Sequence, residues 1–155
     1  GALEYLKNYS KTNRFELVVF GQAKPKSSSN FSFPVHYLGN LKNDTNLILS
    51  YNSADVMIVP SRQDNLPNTC LEAQACGVPI VAFNTGGLPD IIDHKKTGYL
   101  AKAFDTKDLA NGINFVLDQI DPNKLRKNAR QKALEKYSPK VIAEKFKSVY
   151  ESVLK

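Results

Sequence analysis

The sequence contains little cysteine and no long apolar run. Its two cysteines, Cys70 and Cys76, lie six positions apart on one predicted helix. That spacing separates them by about 240° around the helix axis, so their side chains point in different directions and cannot form a disulfide. No apolar stretch approaches the length of a membrane span, and the N-terminus lacks the three-part pattern of a signal peptide. These absences predict a cytoplasmic chain in a reducing compartment.

Motifs that carry phosphate or metal chemistry in other proteins are missing as well. Neither Gly-x-x-x-x-Gly-Lys-Ser/Thr nor Gly-x-Gly-x-x-Gly occurs, which removes the main support for an ATPase or a dehydrogenase. The absence of Asp-x-Asp argues against a divalent metal that carries a diphosphate ligand. His36 and His94 have no neighbours at metal-ligand spacing, so we interpret both as structural or solvent-facing.

The charge balance favours anionic partners without naming one. The 155 residues, enough for one compact domain with a core, include 21 Lys and Arg against 15 Asp and Glu, a formal net charge of +6. The basic excess is concentrated in residues 124–147. Nucleotide phosphates and acidic lipid headgroups fit this balance, but we interpret the basic run first as a solvated helix face. We expect no nucleic-acid partner.

Short apolar runs alternate with helical patterns along the chain. The runs end at turn residues and predict strands over residues 15–20, 35–38, 55–59, 79–83 and 97–101. Helices are predicted between them and continuously after residue 106, and a Ser- and Lys-rich loop is predicted over residues 24–32. We therefore predict an α/β fold: a Rossmann-like open parallel sheet with helices on both faces and a helical C-terminal tail.

Two helix starts and three apolar stripes make this prediction specific. Asp44 is the expected cap of one helix, and Leu66 is the expected cap of another, with Pro67 at its first position. The second helix is expected to end at Gly77 in a left-handed conformation. The stripes expected to pack in the core consist of Leu109, Ile113, Val116 and Leu117, then Leu125, Ala129 and Leu134, and the final helix adds Ile142, Phe146, Val149, Tyr150 and Val153.

Residues 61–87 are the most informative part of the chain. Open α/β sheets bind ligands at the carboxyl ends of their strands, and this segment links two predicted strands there. The free N–H groups of Asn68 and Thr69 would point from a helix start toward a diphosphate. Asp64 and Glu72 flank that start, and carboxylates accept hydrogen bonds from vicinal hydroxyls, which fits a ribose and a sugar.

Purely structural interpretations of the same residues remain open at this point. Asp64 favours a loop in any protein, and Glu72 complements the dipole at the start of a helix. Gly86 and Gly87 either bring the backbone close to a ligand or only turn the chain.

A family resemblance rests on the motifs in and after this segment. Asp64 and Glu72 are followed by Ala-Gln-Ala-Cys-Gly-Val-Pro-Ile-Val-Ala, Gly-Gly-Leu-Pro-Asp and Thr-Gly-Tyr-Leu. This pattern resembles the C-terminal, donor-binding domain of retaining GT-B glycosyltransferases of family 4, and it is similar to enzymes that build bacterial surface polysaccharides. The resemblance extends from residue 15 to the final helix.

The resemblance implies a role for each site residue. It implies that Glu72 binds the ribose of a nucleotide diphosphate sugar and that the catalytic-site acid Asp64 approaches the transferred sugar. It further implies a metal-independent reaction without a cofactor. The first acid is usually Glu in the family, so the shorter Asp64 reaches about one methylene less. The other expected binding residues are Gly39, Asn40, Leu41, Asn65, Leu66, Asn68 and Thr69.

The resemblance also implies a missing partner domain. The family's diphosphate-clamping Arg and Lys and its acceptor-binding N-terminal domain precede the matched region. In the family a C-terminal helix crosses back to brace that N-terminal domain, which implies that part of the apolar stripe of the final helix is left exposed in this chain. We therefore expect residues 1–155 to be a donor domain without the first strand and the N-terminal domain, and to be inactive alone. The full-length protein would transfer a sugar, with retention, to a saccharide or lipid-linked acceptor, with a peripheral contact at the inner face of the membrane. The alternative is a non-catalytic α/β module that binds nucleotides or partner proteins.

Overall fold

The computed structural model describes residues 2–6, 15–23, 31 and 33–154. Most of the loop expected over residues 24–32 lies outside these ranges. The strands are β1 (Leu17–Phe20), β2 (Val35–Gly39), β3 (Met57–Val59), β4 (Ile80–Phe83) and β5 (Gly98–Ala101). The helices are α1 (Ala2–Leu6), α2 (Asp44–Asn52), α3 (Asn68–Ala75), α4 (Leu88–Ile91), α5 (Thr106–Leu117), α6 (Pro122–Tyr137) and α7 (Pro139–Val153).

All strand pairings between the described strands are parallel. Backbone hydrogen bonds join β1 to β2, and they join β3, β4 and β5 in that order. The predicted α/β class, with helices flanking parallel strands, is confirmed. Within the described chain these strands form two hydrogen-bonded sheets, and each predicted strand is present with slightly different bounds.

Strand β4 is the centre of the core because both of its faces are covered. Its side chains alternate between the two sides of the sheet. Ile80 and Ala82 pack with residues of α3 and α4, whereas Val81 and Phe83 pack with residues of α5. A strand buried on both faces reads as a continuous apolar run, which is why the sequence pattern identified it.

Two arginines in the basic run of α6 hold other elements in place. The Arg126 guanidinium donates to the carbonyl of Ala54, before β3, at 2.9 Å. Arg130 donates to the carbonyl of Ala75, the last residue of α3. A cation at a helix C-terminus stabilises carbonyls that lack partners within the helix. These contacts tie α6 to the segment before β3 and to the C-terminal end of α3.

Helix caps differ from the prediction at α2. Asn43, rather than Asp44, is the N-cap of this helix. Its backbone is extended, and its side-chain oxygen accepts a hydrogen bond from the Asn46 N–H at 2.8 Å. Both residue types are good caps, so the one-position shift was not visible in the sequence. The prediction at the end of α3 is confirmed, because Gly77 has a positive φ of 74°.

The predicted packing of the C-terminal helices is partly wrong. Helix α7 packs against α6, but Phe146, Val149, Tyr150 and Val153 are exposed in the described part of the chain. On α6 the buried position is Ala133, and Leu134 is 52% exposed. None of the helices within the described ranges has the length and apolar character needed to cross a bilayer.

Two leucines of α6 provide a test of this packing. Leu125 is 4% exposed and Leu134 is 52% exposed. We expect Leu125→Ala to lower the free energy of unfolding by about 2–5 kcal/mol, because it leaves a cavity in the core. Leu134→Ala on the same helix should change it by less than about 0.5 kcal/mol. Urea unfolding of both variants measures this, and equal losses would contradict the placement of α6.

Candidate functional site

The start of α3 presents two backbone N–H groups that lack acceptors within the described part of the chain. Pro67 is the N-cap, with φ −66° and ψ 121°, and the helix begins at Asn68. The prediction of Leu66 as cap and Pro67 as first helical residue was therefore wrong by one position, because the ψ of Pro67 is extended. The Cys70 N–H donates to the Pro67 carbonyl at 3.0 Å. The N–H groups of Asn68 and Thr69 have no acceptor among the described residues and are free to bind an anion.

The loop before α3 rests on the glycine pair that follows β4. The Gly87 N–H donates to the carbonyl of Asp64 at 3.0 Å. A Cβ at Gly87 would lie 1.6 Å from the Asn65 carbonyl oxygen, and one at Gly86 would lie 2.0 Å from that of Asp64. Only residues without a side chain permit this approach. The glycines therefore turn the chain and bring two loops together, whereas close approach to a ligand stays a prediction.

Glu72 is held by a buried tyrosine. The Tyr51 hydroxyl donates to Oε2 of Glu72 at 2.9 Å. Tyr51 is 3% exposed, whereas Glu72 is exposed. Glu72 is the fifth residue of α3, and no acid lies in the first turn of that helix. The interpretation of Glu72 as a first-turn partner of the helix dipole is therefore wrong.

Tyr51 is the site residue that the sequence interpretation missed. A buried tyrosine usually finds a partner for its hydroxyl, and that rule was the available signal. The partner itself lies 21 positions away, in another element, so the spacing along the chain did not identify it.

Two groups near the carboxylates stay protonated. Burial raises the pKa of the Tyr51 phenol far above its ordinary range, and the hydrogen bond to Glu72 adds to the effect. Burial also raises the pKa of the Cys70 thiol to about 12, with a further contribution from the Asp64 carboxylate. Cys70 is therefore not a nucleophile at neutral pH. Cys70 and Cys76 are both free thiols, as predicted.

The predicted base-binding residues connect to Glu72 through a chain of contacts. Gly39 ends β2, and its carbonyl accepts a hydrogen bond from the Gly21 N–H at 2.9 Å. Phe20, which precedes Gly21, meets the Tyr51 ring edge-on with 5.4 Å between ring centroids. Asn40 and Leu41 follow directly after β2. The ends of β1 and β2 are thus linked to the residue that holds Glu72.

Both histidines have structural partners. His36 Nε2 lies 2.9 Å from Oε2 of Glu16, the residue before the neighbouring strand β1. His94 Nδ1 accepts a hydrogen bond from the Leu100 N–H of β5 at 3.1 Å. In the described ranges, no three His, Cys, Asp or Glu side chains are grouped as metal ligands. Metal independence stays a prediction.

The chain belongs to the family described as glycosyl transferases group 1, whose profile it matches over residues 2–132. This family and the parallel α/β fold agree with the expected GT-B architecture.

Similar proteins are longer than this chain. A Campylobacter jejuni enzyme, N,N'-diacetylbacillosaminyl-diphospho-undecaprenol alpha-1,3-N-acetylgalactosaminyltransferase, is 34% identical over 122 residues, which cover 78% of the chain and 31% of the enzyme. The capsular polysaccharide biosynthesis glycosyltransferase CapM of Staphylococcus aureus is 27% identical over 94% of the chain and 40% of its own length. The structure of sucrose-phosphate synthase from Thermosynechococcus elongatus superposes with a TM-score of 0.78 at 25% identity, over 99% of the chain and 42% of that protein. The chain thus spans less than half the length of these relatives.

The glycine pair yields a stability prediction. We expect Gly87→Ala to lower the free energy of unfolding by about 3 kcal/mol, because its Cβ overlaps the Asn65 carbonyl and the loops must separate. Gly21→Ala is the control, since its Cβ meets nothing within 4 Å and only its positive φ of 85° is strained. That strain amounts to about 1–2 kcal/mol. Thermal or urea unfolding measures both, and an equal or smaller loss at Gly87 would count against the loop contact.

The Cys70 thiol yields a pH prediction. Its pKa is raised from 9.0 to about 12 in the folded chain. The protonated thiol is favoured by folding, so its contribution to stability is complete below pH 9 and is lost as the pH rises from 9 toward 12. Loss of one proton corresponds to a slope of about 1.4 kcal/mol per pH unit. We expect Cys70→Ala to remove that part of the slope in urea unfolding between pH 8.5 and 11, and an unchanged slope would show that the thiol ionises equally in both states.

Proposed function

We propose that the chain is the donor-binding domain of a retaining glycosyltransferase that uses a nucleotide diphosphate sugar. The supporting observation is the start of α3, where two free N–H groups lie between Asp64 and Glu72. Donors for a diphosphate and acceptors for sugar hydroxyls thus occur on one helix and its preceding loop. Family membership supports the same class of reaction.

Each part of the donor has a matching group in this arrangement. Glu72 accepts hydrogen bonds from the vicinal hydroxyls of the ribose. The amides of Asn68 and Thr69 bind the diphosphate, and Asp64 accepts bonds from hydroxyls of the transferred sugar. The base lies at the end of β2, along Gly39, Asn40 and Leu41, and Asn65 and Leu66 line the loop between the two acids.

The helix start also provides the chemical contribution of this domain. As the bond between the anomeric carbon and the diphosphate lengthens, negative charge develops on the leaving oxygen. The two free amides and the positive end of the helix dipole stabilise that charge without rearranging. Asp64 orients the sugar during this step. In this proposal the protein groups replace a divalent metal at the diphosphate.

The acceptor would be bound by the rest of the whole protein. The chain covers 31% of the Campylobacter relative, whose name specifies a diphospho-undecaprenol-linked acceptor, and 40% of CapM, whose name specifies capsular polysaccharide biosynthesis. We propose a saccharide or lipid-linked acceptor in surface polysaccharide synthesis, at the cytoplasmic face of the membrane. The acceptor domain would precede this chain, so residues 1–155 would bind the donor but would not transfer the sugar alone.

A ligand titration tests the proposed donor site directly. Amide NMR shifts of the chain should be recorded during addition of uridine, guanosine and adenosine diphosphates, with and without attached sugars. We expect shifts at residues 39–41 and 64–72, and the tightest ligand identifies the base. Shifts confined to other parts of the chain would refute the site. Absence of shifts up to millimolar ligand would mean either that the family's clamping Arg and Lys are indispensable for binding or that the chain is a partner-binding module. Repeating the titration with a chain extended upstream separates these two outcomes.

Glu72 provides the corresponding mutational prediction. Glu72→Gln should weaken binding of the best nucleoside diphosphate about tenfold, because a hydrogen bond to a charged group is replaced by one to a neutral amide. Glu144→Gln on α7 removes an exposed negative charge elsewhere and serves as the matched control. Isothermal titration of both variants measures the effect. Equal affinities for wild type and Glu72→Gln would show that Glu72 does not bind the ligand.

A further inference from the structure

We propose that Tyr51 is a positioning residue that orients the Glu72 carboxylate to recognise the vicinal diol of a ribose. The inference rests on the proposed function, since it concerns the same site. Its basis is the hydrogen bond of 2.9 Å from the Tyr51 hydroxyl to Glu72 Oε2. Tyr51 does not touch the donor and acts only through Glu72.

Glu72 needs an anchor because it is exposed. A free glutamate side chain samples several rotamers, and fixing them on ligand binding opposes association by about 0.5–1.5 kcal/mol. A carboxylate held in advance avoids that loss. Tyr51 occupies Oε2 from the protein side, which leaves Oε1 and the second lone pair of Oε2 to accept hydrogen bonds from a ligand.

Tyr51 is a rigid anchor. It is 3% exposed and belongs to the core cluster that includes Val59, Cys70 and Ile80. Phe20 meets its ring at an interplanar angle of 88°. The phenol remains a donor at all physiological pH values, because burial and the bond to Glu72 raise its pKa. The buried Tyr51 ring thus holds Oε2 of the exposed Glu72 carboxylate in a fixed position.

The same contacts couple the two ends of the proposed donor site. Phe20 is the last residue of β1, and the next residue, Gly21, donates to the Gly39 carbonyl at the end of β2. Tyr51 therefore packs against the strand that borders the proposed base site while it bonds the proposed ribose acid. These contacts hold the proposed base site and the ribose-binding Glu72 at a fixed distance from each other. The arrangement predicts that the site binds ribonucleotides more tightly than nucleotides without the vicinal diol.

The test compares ribose with 2′,3′-dideoxyribose ligands. Affinities of uridine, guanosine and adenosine diphosphates and of their 2′,3′-dideoxy forms should be measured for wild type, Tyr51→Phe and Glu72→Gln by isothermal titration. We expect Tyr51→Phe to reduce the preference for ribose about three- to tenfold, as for one lost hydrogen bond, with unchanged affinity for the dideoxy ligands. A purely structural role would weaken both ligand types equally.

Tyr99→Phe is the matched control. The Tyr99 hydroxyl donates to Oδ1 of Asp108 at 2.9 Å, so this variant also removes a tyrosine–carboxylate bond, but on β5 and α5. It should retain the full preference for ribose. A similar loss in Tyr99→Phe would show that general loosening of the fold, rather than positioning of Glu72, causes the effect.

A ligand-free measurement addresses the anchor itself. Three-bond NMR couplings of the Glu72 side chain should indicate one rotamer in wild type and in Tyr99→Phe, and averaged rotamers in Tyr51→Phe. Averaging already present in wild type overturns the inference.

The outcomes separate this inference from the proposed function. If Glu72→Gln abolishes the ribose preference and Tyr51→Phe leaves it unchanged, the positioning role is wrong and the ribose role of Glu72 stands. If wild type shows no preference for ribose, both the positioning role of Tyr51 and the ribose role of Glu72 are wrong.

Discussion

The contact between residues 64–65 and the glycine pair after β4 is the constraint on which the site depends. Strand β4 is buried on both faces and is held by packing from each side. The loop that carries Asp64 is bonded to Gly87, just beyond that strand. The start of α3, with its free amides, follows the same loop. The backbone hydrogen bond between Gly87 and Asp64 therefore positions the exposed site relative to the buried centre of the sheet. This contact does not depend on side-chain rotamers.

The site combines ionisable groups of two kinds. Glu72 is exposed and Asp64 is half-buried, whereas the neighbouring Cys70 and Tyr51 are buried and stay protonated. Burial disfavours the charged form of a thiol or a phenol, so no additional negative charge competes with a diphosphate at the helix start. Hydroxyl recognition and anion binding can therefore occur within two turns of one helix.

Local patterns predicted the order of elements and the two carboxylates. The apolar runs around β4 and the acids beside a helix start depend on neighbours in sequence, which spacing reveals. Tertiary contacts determined the rest. The bond from Tyr51 to Glu72 spans 21 positions, and the partner of Gly87 is a carbonyl in a different loop. At Pro67 the ring fixes φ for either a cap or a first helical residue, so its ψ and the true start of α3 could not be predicted. Helix α7 has a regular apolar stripe, but periodicity predicts a face without specifying what covers it.

The bond from Leu100 to His94 has a consequence for self-association. Strand β5 is an edge strand of the three-stranded sheet. The turn that precedes β5 occupies the outer edge of this strand. Lys95 donates its N–H to the Gly98 carbonyl at 2.7 Å, and His94 accepts a hydrogen bond from the Leu100 N–H. An edge with satisfied hydrogen-bonding groups offers no template to a strand of another molecule. The turn at His94 and Lys95 therefore protects the outer edge of β5 against pairing with a strand of another molecule.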